Sequence, residues 1–385
     1  NYPLDGTANL PKGLTAYHEK LIEGLGVGAL KELLTPLVAT LAMANEPLAE
    51  QEIITFLRLR DRIPDGEAGD KLVTKGLAAI ASMLRRAPDP EGEDGYMLHH
   101  LSLREHILTT ETMSYPVEQA RKAFAKAAMS PDEEASISNY LYRTGVDHLL
   151  SNNQVNDARA KLLDLDHLSK IFELGKQSLE ILQYWLKIGD DDQGQGYIES
   201  VNKYLERDLN EDDLDVLEKL IQQLYLSSWS ISGLKIVEKI EDIFEKIFNP
   251  EHKKLLSLFV YKGNFLNLEA AFENALQIFK NVLIKQEKTI GVSHPDTLLT
   301  VNNLGLLYYN LGDYEKAESF YRRSIEGNEV ALGKNHQTTL KSMVNLAQLF
   351  NDIGEYDKAK ELYNDVLSEY ENTLGVSHPD TLLAV

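Results

Sequence analysis

The chain has 385 residues, of which 43% are apolar and 26% charged, and 60 acidic against 39 basic residues give a net charge of −21. That length suggests two or three domains of about 100–200 residues, and the acidity disfavours a nucleic-acid partner, since clusters such as Arg58–Arg60 and Arg85–Arg86 read as solvated helix faces. The absence of cysteine excludes disulfides, thiolate zinc sites and cysteine nucleophiles, and fits a reducing, cytoplasmic setting.

In chain order, Leu10-Pro-Lys-Gly-Leu14 opens a helix that continues through Tyr17, Leu21 and Leu25. The apolar stretch Leu33–Ala39 leads into Ala44-Asn-Glu-Pro-Leu-Ala49, and a helix follows from Glu50 to about Leu57. Ala78–Leu84 reads as a further apolar helical stretch, and Arg85–Gly95 as a charged, turn-rich loop. The segment from Gly95 to Ile107 alternates briefly and then turns helical. Three helices followed by a short hairpin are the layout of a winged helix, expected over residues 1–125.

These residues resemble the winged-helix domain of STAND signalling NTPases, the class that holds NACHT and NB-ARC proteins. Ala44-Asn-Glu-Pro-Leu48 looks like the small-x-Glu-Pro-Leu turn of that class, and Leu10-Pro-Lys-Gly-Leu14 like the segment entering the domain. His100-Leu-Ser-Leu-Arg-Glu-His106 looks like its His-x-Ser-Phe-x-Glu-Tyr motif, with Leu103 and His106 in place of two aromatics. The resemblance implies that His100, or His99 in the alternative register, senses nucleotide against an upstream ATPase domain, which would bind the ADP or ATP. The alternative reading makes His100 a hairpin-packing residue. No metal is expected at His99, His100 and His106, because no fourth ligand is spaced for a tetrahedral site.

Residues 126–248 read as irregular helical hairpins. Ser130-Pro-Asp-Glu133 has the form of a capping box with proline at the first helical position, opening a helix that carries Ile137, Tyr140 and Leu141. Gly145–Leu150 and Val155–Leu163 are split by Asn152-Asn153. Gly189-Asp-Asp-Asp-Gln-Gly-Gln-Gly196 is a loop, and its acids lack the 12-residue spacing of a calcium loop.

From 249 to 385 the chain repeats. Gly291-Val-Ser-His-Pro-Asp-Thr-Leu-Leu299 recurs from Gly375 to Leu383, and Gly333-Lys-Asn-His-Gln-Thr-Thr-Leu340 lies halfway between. The period of 42 carries His294, His336 and His378, and also Asn303 with Asn345, Gly312 with Gly354 and Tyr314 with Tyr356. A degenerate copy holds His252, Ala275 and Phe279, and a fainter one occupies roughly 207–248. Each copy reads as two helices, about Asp296–Asn310 and Tyr314–Leu332, with Gly312 ending the first and Asp313 capping the second. The histidines read as turn or capping residues.

The pattern Asn303-Leu-Gly305, Tyr308, Gly312-Asp-Tyr314, Ala317, Tyr321, Leu332-Gly333 and His336 resembles the tetratricopeptide repeat in the 42-residue form of kinesin light chains. A mainly all-α fold is therefore expected, a winged helix with a small β-hairpin followed by an α-solenoid. In such arrays the first helix of each hairpin lines a concave groove. Helical projection places Asn303, Leu306, Tyr309 and Asn310 on one stripe there, and Asn345, Gln348 and Asn351 on the next. The resemblance implies a ladder of amides that grips an extended protein or peptide ligand. On the competing reading Asn303 and Asn345 only join neighbouring helices.

No phosphate-binding loop, nucleophile elbow or zinc-protease motif occurs, and Gly24-Leu-Gly-Val-Gly28 follows a helix, which is wrong for a dinucleotide site. No apolar run approaches the ~18–20 residues of a membrane span. The chain starts at Asn1 and ends inside a repeat, so a longer parent protein is expected. The expected function is non-enzymatic: the regulatory and ligand-sensing part of a STAND-type NTPase, in which antiphage defence and an activated homo-oligomer are family possibilities. The alternative is a stand-alone scaffold or cargo adaptor like kinesin light chains.

Overall fold

The computed structural model describes residues 12–25, 30–88, 90, 92, 94–176, 178–189 and 194–373. It divides into two compact units, Asn1–Gly189 and Asp190–Val385. The division falls in the acidic loop singled out above, whose residues 190–193 lie outside the described ones, as do Leu10, Pro11, Gly26–Gly28 and the repeat copy around His378. Among the described residues no helix is long and apolar enough to cross a membrane.

The first unit begins with α1 (Lys12–Leu25), α2 (Lys31–Met43), α3 (Glu50–Arg58) and α4 (Glu67–Ala79). The antiparallel strands β1 (Leu84–Pro88) and β2 (Asp94–Leu98) follow, pairing Leu84 with Leu98 and Ala87 with Gly95. Then come α5 (Leu101–Thr109), α6 (Glu111–Met129), α7 (Ser138–Ser151), α8 (Val155–Leu163), α9 (Leu165–Glu173) and α10 (Ser178–Ile188). Between α2 and α3, Leu48 forms an isolated bridge with Tyr96, exchanging N–H···O bonds of 3.0 and 2.8 Å. The order is thus helix, bridge, helix, helix, hairpin.

Three expectations fail locally here. The apolar stretch Ala78–Leu84 is not a helix of its own: α4 starts earlier, at Glu67, and Leu84 already belongs to β1. Pairing with β2 outweighs the local helical pattern at Leu84, and it makes Arg85–Pro88 strand where a loop was expected. Ser130 makes no cap, and two 3₁₀ turns precede α7. The Asp132 carboxylate accepts instead from Tyr142 Oη (2.8 Å) and Ser138 Oγ (3.3 Å). Gly145 lies inside α7, where it faces Ala128 of α6.

Buried polar groups tie this unit together. Arg60 donates to Pro36 O (3.3 Å), Thr40 Oγ1 (2.9 Å) and Pro116 O (3.1 Å), fastening the two helices that contain a proline. Burial, followed by Arg62, lowers its pKa to about 10. Tyr140 Oη accepts from Asn45 N (3.2 Å) and shares a 2.8 Å bond with His148 Nε2, whose ring stacks on Phe124 at 4.3 Å. Arg143 Nε donates to Glu46 at 2.9 Å. The Ala44–Leu48 turn is therefore anchored to α7 by two consecutive residues.

The second unit opens with α11 (Gln195–Tyr204) and continues as four hairpins. Their first helices are α12 (Glu211–Leu226), α14 (Lys253–Leu268), α16 (Pro295–Asn310) and α18 (Gln337–Asp352), each of 16 residues. Their second helices are α13 (Ser230–Ile247), α15 (Phe272–Thr289), α17 (Tyr314–Ala331) and α19 (Tyr356–Thr373), each of 18. Every start is 42 residues after its predecessor, so Tyr314 and Tyr356 do occupy equivalent places, and the register reaches back from 249 to Glu211.

The local causes of the period are visible. The left-handed residue between paired helices is Ser228, Ala270, Gly312 or Gly354, with φ of 56, 58, 76 and 84°. The cap of the first helix is Asn210 in the first hairpin and histidine in the rest. Nδ1 of His252, His294 and His336 accepts from the N–H two residues on at 3.3, 3.2 and 3.2 Å, as the capping expectation required.

Within a hairpin, the close-approach position couples small to large. Gly263 faces Phe279 and Gly305 faces Tyr321, and a Cβ on Gly305 would stand 2.7 Å from that ring. In the first hairpin the equivalent positions hold Ile221 and Val237, both buried. The sum of volumes, not one residue type, sets the separation of the helices. A continuous apolar core, including Val260, Phe279, Leu304, Tyr321 and Phe350, runs through α14–α19.

Candidate binding groove

The first helix of every hairpin contributes to one groove of about 560 Å³ in the second unit, with α15 supplying further wall. The helix periodicity explains the lining. Positions four and seven residues apart on α12, α14 and α16 point the same way, so Glu218 with Gln222, Ser257 with Tyr261 and Asn264, and Leu299 with Asn303 form successive rungs. The stacking interval of 42 residues then sets the rungs side by side.

Both polar and apolar chemistry line it. Tyr225 and Tyr261 meet edge to face at 6.0 Å. Burial, followed by the Glu218 carboxylate, pushes the Tyr261 hydroxyl up to about 12, so it stays a neutral donor at physiological pH. Lys254 and Asp215 are paired across adjacent first helices at 2.6 Å, and Glu251 is held by Lys288 at 2.6 Å. The lining carries four carboxylates and three lysines, a near balance that gives no strong field toward phosphate or toward a highly charged ligand.

Four buried amide atoms of this unit have no hydrogen-bond partner among the described residues, Gln223 Oε1, Gln286 Oε1, Asn303 Nδ2 and Asn328 Oδ1, and two of these residues, Asn303 (9% exposed) and Gln286 (4% exposed), line the groove. Leaving such a donor or acceptor unpaired costs about 1–3 kcal/mol.

The seven residues expected to form the groove divide sharply. Asn303 lines it. Leu306 is half-buried against the array's core. The other five are hydrogen-bonded within the array. Asn310 Nδ2 donates to Asn267 Oδ1 (2.9 Å), and Asn345 Nδ2 to Asn302 Oδ1 (3.1 Å). The Tyr309 hydroxyl donates to Asp352, which pushes its pKa up to about 12. Gln348 Nε2 donates to Asp352 (2.8 Å), as does Asn351 Nδ2 (3.3 Å), and Gln348 Oε1 accepts from Tyr363 Oη (3.1 Å). Polar residues 43 positions apart meet one another here, joining neighbouring hairpins.

The open part of the stripe therefore lies toward the start of the array. Tyr261 and Asn264 were missed in the sequence although they are Asn303 and Leu306 moved back by 42, and Gln222 is Leu306 moved back by 84. That arithmetic was available. Gln286 had no such signal, because it lies on a second helix.

In the first unit, His100 is the cap residue of α5 and is exposed. It packs edge to face on His99 at 4.2 Å, at a cleft of about 250 Å³ shared with Asn45, Arg85 and Arg104. Arg104 Nε donates to Ala42 O (2.7 Å), and burial lowers its pKa. Among the described residues no group of three or more histidine, aspartate or glutamate side chains converges as metal ligands would.

Comparison with known proteins agrees with this geometry for the repeats. A tetratricopeptide repeat family model matches residues 254–329 and again 296–372. Among solved structures, a putative kinesin light chain from Podosopora anserina with nearly identical TPR-like repeats is 21% identical, over 44% of this chain and 81% of that one, at a TM-score of 0.39. A STAND protein (signal transduction ATPase with numerous domains) with a tetratricopeptide repeat sensor, from Pyrococcus horikoshii, is 14% identical over 98% of this chain and 55% of that one, at 0.40. NprR in complex with its cognate peptide NprX is 13% identical over 73% and 68%, at 0.36. No curated protein matches the chain.

Proposed function

We propose that the second unit, built of tetratricopeptide-like hairpins, holds an extended segment of a protein or peptide partner in its groove. The observation that carries this reading is the groove itself, to which the first helices of four successive hairpins contribute and which Tyr225, Tyr261, Asn264 and Asn303 line. A scaffold that binds by shape and hydrogen bonds needs no catalytic constellation.

We further propose that this array is the sensing part of a STAND-type signalling NTPase. On that reading residues 1–125 are a winged-helix domain, and His100 relays the state of ADP or ATP held by a domain outside residues 1–385. The helix, bridge, helix, helix, hairpin order supports it, as does the Ala44–Leu48 turn fastened to α7 through Asn45 and Glu46. A partner can switch such a protein only by binding one state more tightly than the other. The protein would then work in the cytoplasm and contribute no enzymatic step of its own.

The groove is tested by screening the full chain against a library of peptides of about ten residues and measuring a selected binder by fluorescence polarisation. Asn303→Ala should weaken binding about tenfold, the loss expected of one buried hydrogen bond. Asn345→Ala, whose amide is already used on Asn302, should leave binding within about twofold. Equal effects from both would reject this placement of the groove. The sensor reading is tested at the gene: a coding sequence with no phosphate-binding loop upstream of Asn1 would reduce the protein to an adaptor with the same groove.

A further inference from the structure

In the first unit α1 packs on α2 and α5, and along residues 16–25 it buries His18, Ile22 and Leu25, the i, i+4 and i+7 spacing of one helix face. Among the described residues no side-chain hydrogen bond or ion pair ties residues 16–25 to α2 or α5. His18 is 1% exposed, and its ring stands 5.6 Å from that of His106 on α5, while neither His18 Nδ1 nor His106 Nε2 has a hydrogen-bond partner. The titratable groups that act on His18 are His106 and His100, the cap of α5, and both oppose its protonation. Elsewhere on α5, Arg104 is turned to Ala42 O and Glu105 is exposed. The charges of α2 lie in its first turn, at Lys31 and Glu32, and on α1 itself Glu19, Lys20 and Glu23 are exposed. A protonated imidazole donates from both nitrogens. This contact leaves His18 Nδ1 without an acceptor and sets a second imidazole beside it.

We infer that α1 is a proton-operated latch, docked on α5 while His18 and His106 are neutral and released when the pair takes up a proton. Burial, followed by His106 and His100, holds the His18 imidazole below the usual histidine range. Release returns His18 to water and to its ordinary value near 6.5. The released state therefore binds the proton that the docked state refuses, so docking is at full strength above about 6.5 and weakens as the pH falls below it. The other buried residues of the docking face, Ile22 and Leu25, are apolar and do not titrate. The latch is distinct from His148 on α7 and His167 on α9, which are buried in the body of the unit. It acts on α5, the helix that carries His100 at its start, and it holds whatever the groove of the second unit binds.

The experiment is amide hydrogen exchange of the full chain at about pH 7.5 and about pH 5.5, corrected for the intrinsic exchange rates. Protection of residues 16–25 reads the opening of α1, and protection of α6 reads the opening of the whole unit. Uptake of one proton on release should raise the opening constant of α1 about tenfold between the two conditions. His18→Phe keeps a ring in the contact but cannot be protonated, and should hold that constant within about twofold. The wild-type comparison needs no variant, so a misfolded His18→Phe does not block the test. Protection of α1 that is unchanged between the two conditions overturns the latch, as does a response of His18→Phe equal to that of wild type. Opening constants that are equal for α1 and α6 would mean unfolding of the whole unit and would overturn it too.

Discussion

The two units solve the same problem of holding short helices together, and they do it by opposite means. In the first, each joint is singular. Arg60 fastens the carbonyls of Pro36 and Pro116, Tyr140 and His148 bond beneath the Ala44–Leu48 turn, and Arg143 reaches Glu46. In the second, one joint is used four times, with helix lengths of 16 and 18 and a constant interval of 42. Singular joints make each buried polar group indispensable. Repeated joints spread the load over neighbouring hairpins.

The contrast breaks most visibly at the close approach of two paired helices. Gly305→Ile should destabilise the second unit by about 3 kcal/mol, because its side chain meets the Tyr321 ring. Adding Tyr321→Val recreates the Ile221–Val237 pair of the first hairpin and should recover more than half of that loss. Urea unfolding read by Trp229 in a Trp185→Phe background measures it, since the chain's two tryptophans fall one in each unit. Failure of the second substitution to rescue would show that the hairpins are not interchangeable.

A smaller effect separates the units by pH. Burial lowers the pKa of His148 to about 3 and of His167 to about 4 from 6.5. The unfolded chain therefore binds protons that the folded first unit refuses, so its stability is complete above 6.5 and falls as the pH drops toward those values. Between pH 7 and about 5.5 the unfolding free energy reported by Trp185, in a Trp229→Phe background, should fall by about 2 kcal/mol. His148→Gln should flatten that slope. An unchanged slope would remove His148 from the account.

The smallest expected change is at a cap. His336→Ala removes the acceptor for the Thr338 N–H and should cost about 1 kcal/mol, with helix content retained. A loss several times larger would mean that these histidines do more than cap.

The sequence announced the repeats because a stacking interval is a one-dimensional quantity. His294, Gly312 and Tyr314 recur in step with His336, Gly354 and Tyr356. It was faint in the first hairpin for a physical reason: Ser228 stands at the left-handed turn that glycine occupies in the last two hairpins, and Asn210 caps where histidine does later. A short hairpin was expected, but its first strand, Leu84–Pro88, was not placed, because Leu84 continues an apolar helical pattern and Arg85 and Arg86 read as solvated charge until they pair with Met97 and Tyr96. For the groove, the helical stripe was legible but its occupancy was not. Asn310 and Asn345 have the residue type and the face expected of ligand contacts, yet they bond to Asn267 and Asn302 on the preceding hairpin. Only the three-dimensional pairing distinguishes a spent amide from a free one.

The most direct test of the central claim is amide hydrogen exchange of the full chain with and without a selected peptide. Added protection should concentrate on the groove-facing parts of α12, α14 and α16, around residues 215–226, 253–264 and 296–303. Protection confined to the second helices α17 and α19, with none on those first helices, would contradict it.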